Sequence, residues 1–469
     1  MKESIFKLNG SLKEVLEAIN AEPAGIAFIV DETEQLKGVL TDGDVRRLLL
    51  DDYTLNSIIS NDVLGDFTYA FEGDDIDALL KKTSKKVRVV PIVNQQMRLI
   101  DYFRYEHKTK FVPVAEPSLK GNELKYVTDA VLSTWISSRG EYIDRFEKDF
   151  AAFCNASHGV AVSNGTVAIQ LALTAMGIGP GDEVIVPDFT FAATINTVIH
   201  VGATPVIVDV QEDSWCIDPK AIEAAITHKT RAIIPVHIYG QPCDMDAIMD
   251  IAQKHNLKVI EDAAEAHGAT YKGRTVGSIG DAATFSFFGN KIITCGEGGM
   301  VVTNSSELDE RMRVLRDHGM SKSKRYWHDF VGFNFRMTNM QAAIGCAQLE
   351  KIVDIQKWRL ALEKGYKKAF KSSGITFQSD LPNREKALWL ISGLASSADQ
   401  KEGLIAHFRS HNIDLRPFFY PLSDMPIYKE YAQEGITVSK KISELGLSLP
   451  TVEDVDLDQI ERILNQFQG

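Results

Sequence analysis

The chain has 469 residues, 44% of them hydrophobic and 25% charged, an ordinary balance for a globular protein with two or three cores. Lys plus Arg number 51 against 64 Asp plus Glu, a net charge of −13. With no basic run, nucleic acid is excluded as the main partner, because neutralising phosphates needs clustered cations.

Anionic small molecules stay open, since a few backbone amides and one arginine bind a phosphate locally. The stretch from Met1 to Gly25 lacks the basic-then-apolar pattern of a secretory signal. No apolar run approaches the ~20 residues of a membrane span. Five cysteines (Cys154, Cys216, Cys243, Cys295, Cys346) are scattered without metal-ligand spacing. The expectation is a reduced, cytoplasmic protein with no metal site and no membrane partner.

Residues 1–108 read as two similar halves of an α+β unit. The first runs helix (Leu12 to Ile19), strand (Ile26 to Val30), turn, strand (Leu36 to Leu40), then helix from Asp44. The second runs helix (Ile76 to Lys82), strand (Val87 to Val93), turn (Asn94 to Gln96), strand (Arg98 to Asp101). Such self-similarity points to two copies of one unit. The charged segment Glu106 to Lys110 is expected to be a linker.

Residues 109–347 then alternate strands and helices. Strands are expected at Gly159 to Val162, Glu183 to Pro187, Thr204 to Val210, Ala232 to His237 and Lys258 to Asp262, with helices at Gly165 onward and Met245 to His255. Unbroken Val/Ile runs between amphipathic helices indicate a parallel sheet covered on both faces. Such sheets bind ligands at the carboxyl ends of their strands. Residues 348–469, opening with a long helix, read as a smaller α+β lobe.

Four strand ends carry polar residues that packing would not select. Ser163-Asn-Gly-Thr166 offers the amides of Gly165 and Thr166 at a helix N-terminus, suited to an anion, though a plain Ser or Thr cap explains it too. In Val259-Ile-Glu-Asp-Ala-Ala-Glu-Ala-His-Gly268, Asp262 ends an apolar strand where an unpaired carboxylate is costly. Paired with a protonated pyridine nitrogen it would keep that ring electron-withdrawing; the alternative is an N-cap. Thr284-Phe-Ser-Phe-Phe-Gly-Asn-Lys291, then Gly296-Glu-Gly-Gly299, leaves Lys291 at a strand tip beside glycine-rich backbone. It would there form a Schiff base with an aldehyde, or else be an ordinary surface lysine. In Pro187-Asp-Phe-Thr-Phe-Ala-Ala-Thr194, Phe191 would lie against a planar cofactor or in the core.

These motifs in this order, closed by Gly332-Phe-Asn-Phe-Arg-Met337, resemble the fold type I, pyridoxal-phosphate-dependent nucleotide-sugar aminotransferases from Pro117 onward. The resemblance implies a large domain with a mostly parallel sheet, a small C-terminal lobe and pyridoxal 5′-phosphate as cofactor. It makes Lys291 the cofactor-bonded, proton-shuttling lysine, where related dehydratases carry His. Asp262 would meet the pyridine nitrogen, Phe191 the ring face and Glu265 the cofactor hydroxyl. Gly165, Thr166 and Ser286 would hold the phosphate, and Asn334 would reach it from the neighbouring subunit of a homodimer with shared sites.

Glu116 to Glu123, Ser133 to Tyr142, Pro235 to Asp246 and Arg325-Tyr-Trp327 are similar to the branch of that family that converts GDP-4-keto-6-deoxymannose to GDP-perosamine with L-glutamate as donor. Arg139, His267 and Arg416 are the candidate substrate contacts. Ser423 stands where His often follows Pro-Leu, in a region able to touch the sugar nucleotide. A UDP- or dTDP-linked keto-sugar, or a regulator built on an inactive scaffold, are the alternatives. Near the N-terminus, Gly38-Val-Leu-Thr-Asp-Gly-Asp44 looks like the nucleotide signature of CBS domains. It implies a tandem CBS module with Thr41 on phosphate and Asp44 on ribose; the alternative is a turn capping a helix.

Overall fold

Alternation between two cores explains why the strands expected beyond residue 109 carry runs of consecutive apolar residues. The computed structural model describes residues 4–21, 25–84, 87–105 and 111–467, and the chain divides into Met1–Thr109 and Lys110–Gly469. The expected linker, Glu106 to Lys110, lies outside the described residues.

In the second unit, seven strands stand in the spatial order His158–Val162, Gly299–Thr303, Ala282–Ser286, Lys258–Asp262, Thr230–Ile233, Glu183–Pro187 and Thr204–Val208. Successive residues face opposite sides of a strand. Ala161, Ile185 and Val259 enter one buried cluster, while Val160, Val162, Val184, Val186 and Ile260 enter the other. Only Gly299–Thr303 runs antiparallel to its neighbours. The glycine-rich backbone expected beside Lys291 thus leads into this strand at Gly299. Gly299 has a packing reason: a Cβ there would lie 2.3 Å from the Asn164 carbonyl oxygen. The strand expected to reach His237 ends at Ile233, where Pro235 has no N–H to give the ladder.

The C-terminal lobe contributes a four-stranded antiparallel sheet in the order Thr376–Phe377, Ile391–Leu394, Gly446–Leu449, Arg416–Pro417. The long helix Ile352–Ala369 and the terminal helix Leu457–Asn465 pack around its core.

The first unit repeats itself. Strand Ile5–Lys7 pairs in parallel with Ile26–Val30, which pairs antiparallel with Leu36–Thr41. Ala70–Phe71, Val89–Val93 and Leu99–Arg104 repeat that arrangement. The turns match atom for atom: Asp31 Oδ1 accepts the amides of Thr33 and Gln35, and Asn94 Oδ1 accepts those of Gln96 and Arg98. The two hairpins join through these turns, where the Leu36 N–H donates to the Met97 carbonyl at 2.7 Å.

Thr41 N-caps helix Asp42–Leu50 in a capping box with Asp44. Asp44 Oδ2 accepts from the Thr41 amide at 2.8 Å and the Thr41 hydroxyl at 2.6 Å, and Arg47 bonds Asp44 Oδ1. The two residues expected on a nucleotide are therefore engaged with each other.

Candidate active site

At the carboxyl ends of the parallel strands lies a cavity of about 670 Å³, where strands tip into helix N-termini. Its lining gathers residues from seven chain segments, among them Gly165, Thr166, Phe191, Asp262, Glu265, Ser286, Lys291 and Arg416.

The floor is set by two strand ends in close approach. Asn164 caps helix Gly165–Ala175, its side chain accepting the Val167 amide at 3.0 Å. The residue expected to cap was Ser163 or a threonine. The amides of Gly165 and Thr166, in the first helical turn, have no intrahelical acceptor and point outward with the positive end of the dipole. Ser286, ending the facing strand, crowds Gly165 so closely that a Cβ on the glycine would lie 2.7 Å from Ser286 Cβ. Two amides and a hydroxyl thus form a cradle of the size and polarity of a phosphate.

Asp262 is buried, with Oδ2 accepting the Thr194 hydroxyl at 2.8 Å and Oδ1 the Ala264 amide at 3.2 Å. Burial raises its pKa, opposed by the bond from Thr194. Glu265 is likewise pushed up by burial and pulled back by Lys291. Its Oε2 accepts the Tyr239 amide at 2.8 Å. Tyr239 holds φ +51°, and the next residue, Gly240, has φ +87° with the Ala387 carbonyl where a Cβ would stand. Lys291 Nζ lies 3.4 Å from Glu265 Oε1 and 3.9 Å from the centre of the Trp389 ring. Phe191, 60% exposed, offers its ring to the cavity. Trp389 and Phe419 complete the wall. Trp389 lies in no motif and Phe419 within the Arg416 to Ser423 stretch, and the sequence alone singles out neither.

One expectation is corrected. His267 is no substrate contact: it is fully buried, packed on Phe150, Phe285 and Phe287, with Nε2 donating to the Ser286 carbonyl at 3.0 Å. Burial, then the charge of Lys291, lowers its pKa to about 3, so it is neutral and supports the cradle from behind. Arg139 lies exposed just before helix Glu141–Phe153 and is not among the residues lining the cavity. Ser423 is turned inward: its amide and hydroxyl donate to Asp188 at 2.6 and 3.0 Å. Asn334 is exposed, accepting from Arg336 at 2.9 Å, and does not line the cavity of its own chain.

Asp188 also accepts from the Ser439 hydroxyl. Asp209, one residue past the next strand, accepts the amides of Thr437, Val438 and Ser439. Two carboxylates therefore moor the lobe that bears Arg416 and Phe419.

The residues suit pyridoxal phosphate. The glycine-lined cradle would take the phosphate, and the buried carboxylate of Asp262, which lines the same cavity as Lys291, would take a pyridinium N–H. Residues 117–468 match the DegT/DnrJ/EryC1/StrS aminotransferase family. GDP-perosamine synthase of Caulobacter vibrioides is 46% identical over 365 residues, covering 76% of this chain and 98% of that one. Among solved structures, S. venezuelae DesV is 36% identical with a TM-score of 0.69, covering 73% of this chain and 92% of that one. The PLP form of Spr1654 from Streptococcus pneumoniae is 27% identical with a TM-score of 0.72, covering 76% and 97%.

Proposed function

The chain belongs to the DegT/DnrJ/EryC1/StrS aminotransferase family, and from that premise we propose that it transfers the amino group of L-glutamate to GDP-4-keto-6-deoxymannose, giving 2-oxoglutarate and GDP-perosamine. It is a pyridoxal-phosphate-dependent aminotransferase. The observation that carries the chemistry is the convergence of Lys291, Asp262 and the Gly165–Ser286 cradle in one cavity. The sugar nucleotide rests on the likeness to the Caulobacter enzyme along almost its whole length.

When bound, the cofactor supplies an electron sink for negative charge at the reacting carbon. The chain's residues do the rest. Gly165, Thr166 and Ser286 hold the phosphate, and Phe191 covers one face of the ring. Asp262 receives the pyridine N–H and keeps that nitrogen protonated, and Thr194 keeps Asp262 oriented. Lys291 Nζ takes the proton from Cα of glutamate and, in the second half, delivers one to C4 of the sugar. Arg416, at the cavity rim, binds the diphosphate, for which a planar fork of donors is suited.

The proposal extends to a cytoplasmic homodimer in which Asn334 serves the neighbouring subunit's phosphate, and to a role in surface polysaccharide synthesis such as O-antigen. It also takes the first unit as a tandem CBS module, supported by its internal repeat. Because Thr41 and Asp44 satisfy each other, a nucleotide there must displace a helix cap.

The test is to incubate the protein with pyridoxal phosphate, glutamate and GDP-4-keto-6-deoxymannose, following 2-oxoglutarate and product mass. A GDP-sugar bearing a new amine, absent with Lys291→Ala, is the expected result. Glutamate turnover that requires a UDP- or dTDP-keto-sugar instead would overturn the substrate and leave the chemistry standing.

A further inference from the structure

No strand-end motif marks Trp389, yet its ring is the nearest aromatic surface to the reacting nitrogen. Lys291 Nζ sits 3.9 Å from the ring centre, with Glu265 Oε1 at 3.4 Å. An ammonium within ~6 Å of an indole face is attracted by the ring quadrupole, more strongly where water is excluded. Here it is, since the lysine side chain is 12% exposed and Trp389 is 4% exposed.

The indole is itself held from several sides. Its Nε1–H donates to the carbonyl of Asn290, the residue before Lys291, at 2.8 Å. Tyr239 and Phe419 stack against it at 5.8 and 6.4 Å. Behind it lies Arg359, 2% exposed, whose Nη1 donates to the carbonyls of Leu388 and Trp389 at 3.1 and 2.5 Å. Among the described residues no carboxylate pairs with Arg359, and its Nε has no hydrogen-bond partner. Burial alone brings its pKa down to about 9, so it is still a cation at neutral pH. A buried cation without a counter-ion is several kcal/mol less favourable than an apolar residue of similar volume. What the guanidinium offers in exchange is a grip on the main chain at Trp389.

We infer that Trp389 is a catalytic residue of this enzyme: with Glu265 it forms a two-sided seat for the free Lys291 ammonium, and Arg359 is the positioning residue that fixes the seat. The seat holds Nζ near the reacting carbon in the interval when the lysine carries the transferred proton. It limits the arc that a four-carbon side chain would otherwise sweep. This rests on the aminotransferase chemistry and not on the identity of the sugar.

The test uses the full chain freed of cofactor and a small acylating reagent at fixed pH, with labelling of Lys291 read by peptide mass spectrometry against the exposed Lys220. The variants are Trp389→Leu, Trp389→Phe, Arg359→Met and Arg359→Lys. Labelling of Lys291 relative to Lys220 is expected to rise about threefold to tenfold in Trp389→Leu and to return to within about twofold of wild type in Trp389→Phe. Arg359→Met is expected to raise it with the indole still present. In the loaded enzyme, kcat for the glutamate half-reaction should fall in parallel while KM for glutamate changes less. Folding loss alone would lower the melting temperature without a selective change at Lys291. Relative labelling at wild-type level in folded Trp389→Leu, or in folded Arg359→Met, overturns the assignment.

Discussion

Gly165→Ala separates the phosphate cradle from general stability. The added Cβ would lie 2.7 Å from Ser286 Cβ, 3.0 Å from Ser286 Oγ and 3.2 Å from Ser286 Cα. A new rotamer at Ser286 moves Oγ but neither Cβ nor the backbone, so one of two strand ends must retreat by several tenths of an ångström. Overpacking of this kind costs about 1–3 kcal/mol. Because the displaced atoms are the cradle itself, the cost falls mainly on the loaded state. Cofactor affinity is expected to drop about 5- to 140-fold, at 1.4 kcal/mol per factor of ten. Helix propensity works the other way: Ala at a helical position is favoured over Gly by up to about 1 kcal/mol, so the cofactor-free variant should unfold close to the wild-type temperature. Titrating cofactor-free protein with pyridoxal phosphate by absorbance, beside thermal melts without it, reads both quantities. Wild-type affinity in Gly165→Ala would refute the cradle; equal destabilisation with and without cofactor would make it a plain packing site.

Thr194→Val removes the hydroxyl that lowers the pKa of Asp262 against its burial. Since the ionised carboxylate is the working form, the acid limb of kcat/KM should move to higher pH, because the lost hydrogen bond favoured the charged form; an unmoved limb would remove Asp262 from that limb. His267 is held down to about 3, so between pH 6.5 and that value the unfolded chain binds a proton that the native state refuses. Stability therefore falls as pH drops through that window, by up to about 1.4 kcal/mol per pH unit from this residue, and His267→Phe should melt with a shallower acid slope. Glu147→Ala leaves Arg313 and Arg316 without the carboxylate they share, and urea midpoints should report a loss of about 3 kcal/mol.

Strands were legible wherever both faces of the sheet are covered, because Val184 and Val186 serve one core while Ile185 serves the other. Element ends were less so: Pro235 stops a ladder that hydrophobicity alone would extend. Motifs revealed which strand ends matter, and Lys291, Asp262, Glu265, Ser286 and Gly165 all meet in one cavity. They did not reveal direction. His267 shares a motif with Asp262, yet the turn after the strand aims it at three phenylalanines. Ser423 lies near cavity residues in sequence but points at Asp188. Trp389 and Arg359 gave no signal, since a buried indole or guanidinium has no spacing rule. Their roles come from contacts over 99 and 30 residues of chain.

The moorings of the C-terminal lobe set an order of events during synthesis. The bonds from Asp209 to Thr437 and from Asp188 to Ser439 join residues 228 and 251 positions apart. A ribosome adding about 5–20 residues per second needs roughly 10–50 s between emitting one partner and the other. Throughout that delay the strand ends carrying Asp188 and Asp209 wait beside an unfinished wall, with Phe191 already made and Arg416 still to come. The nascent chain can complete its seven-stranded sheet at Thr303 long before it can enclose a ligand, so premature termination between Thr303 and Arg416 would leave the cleft without that wall.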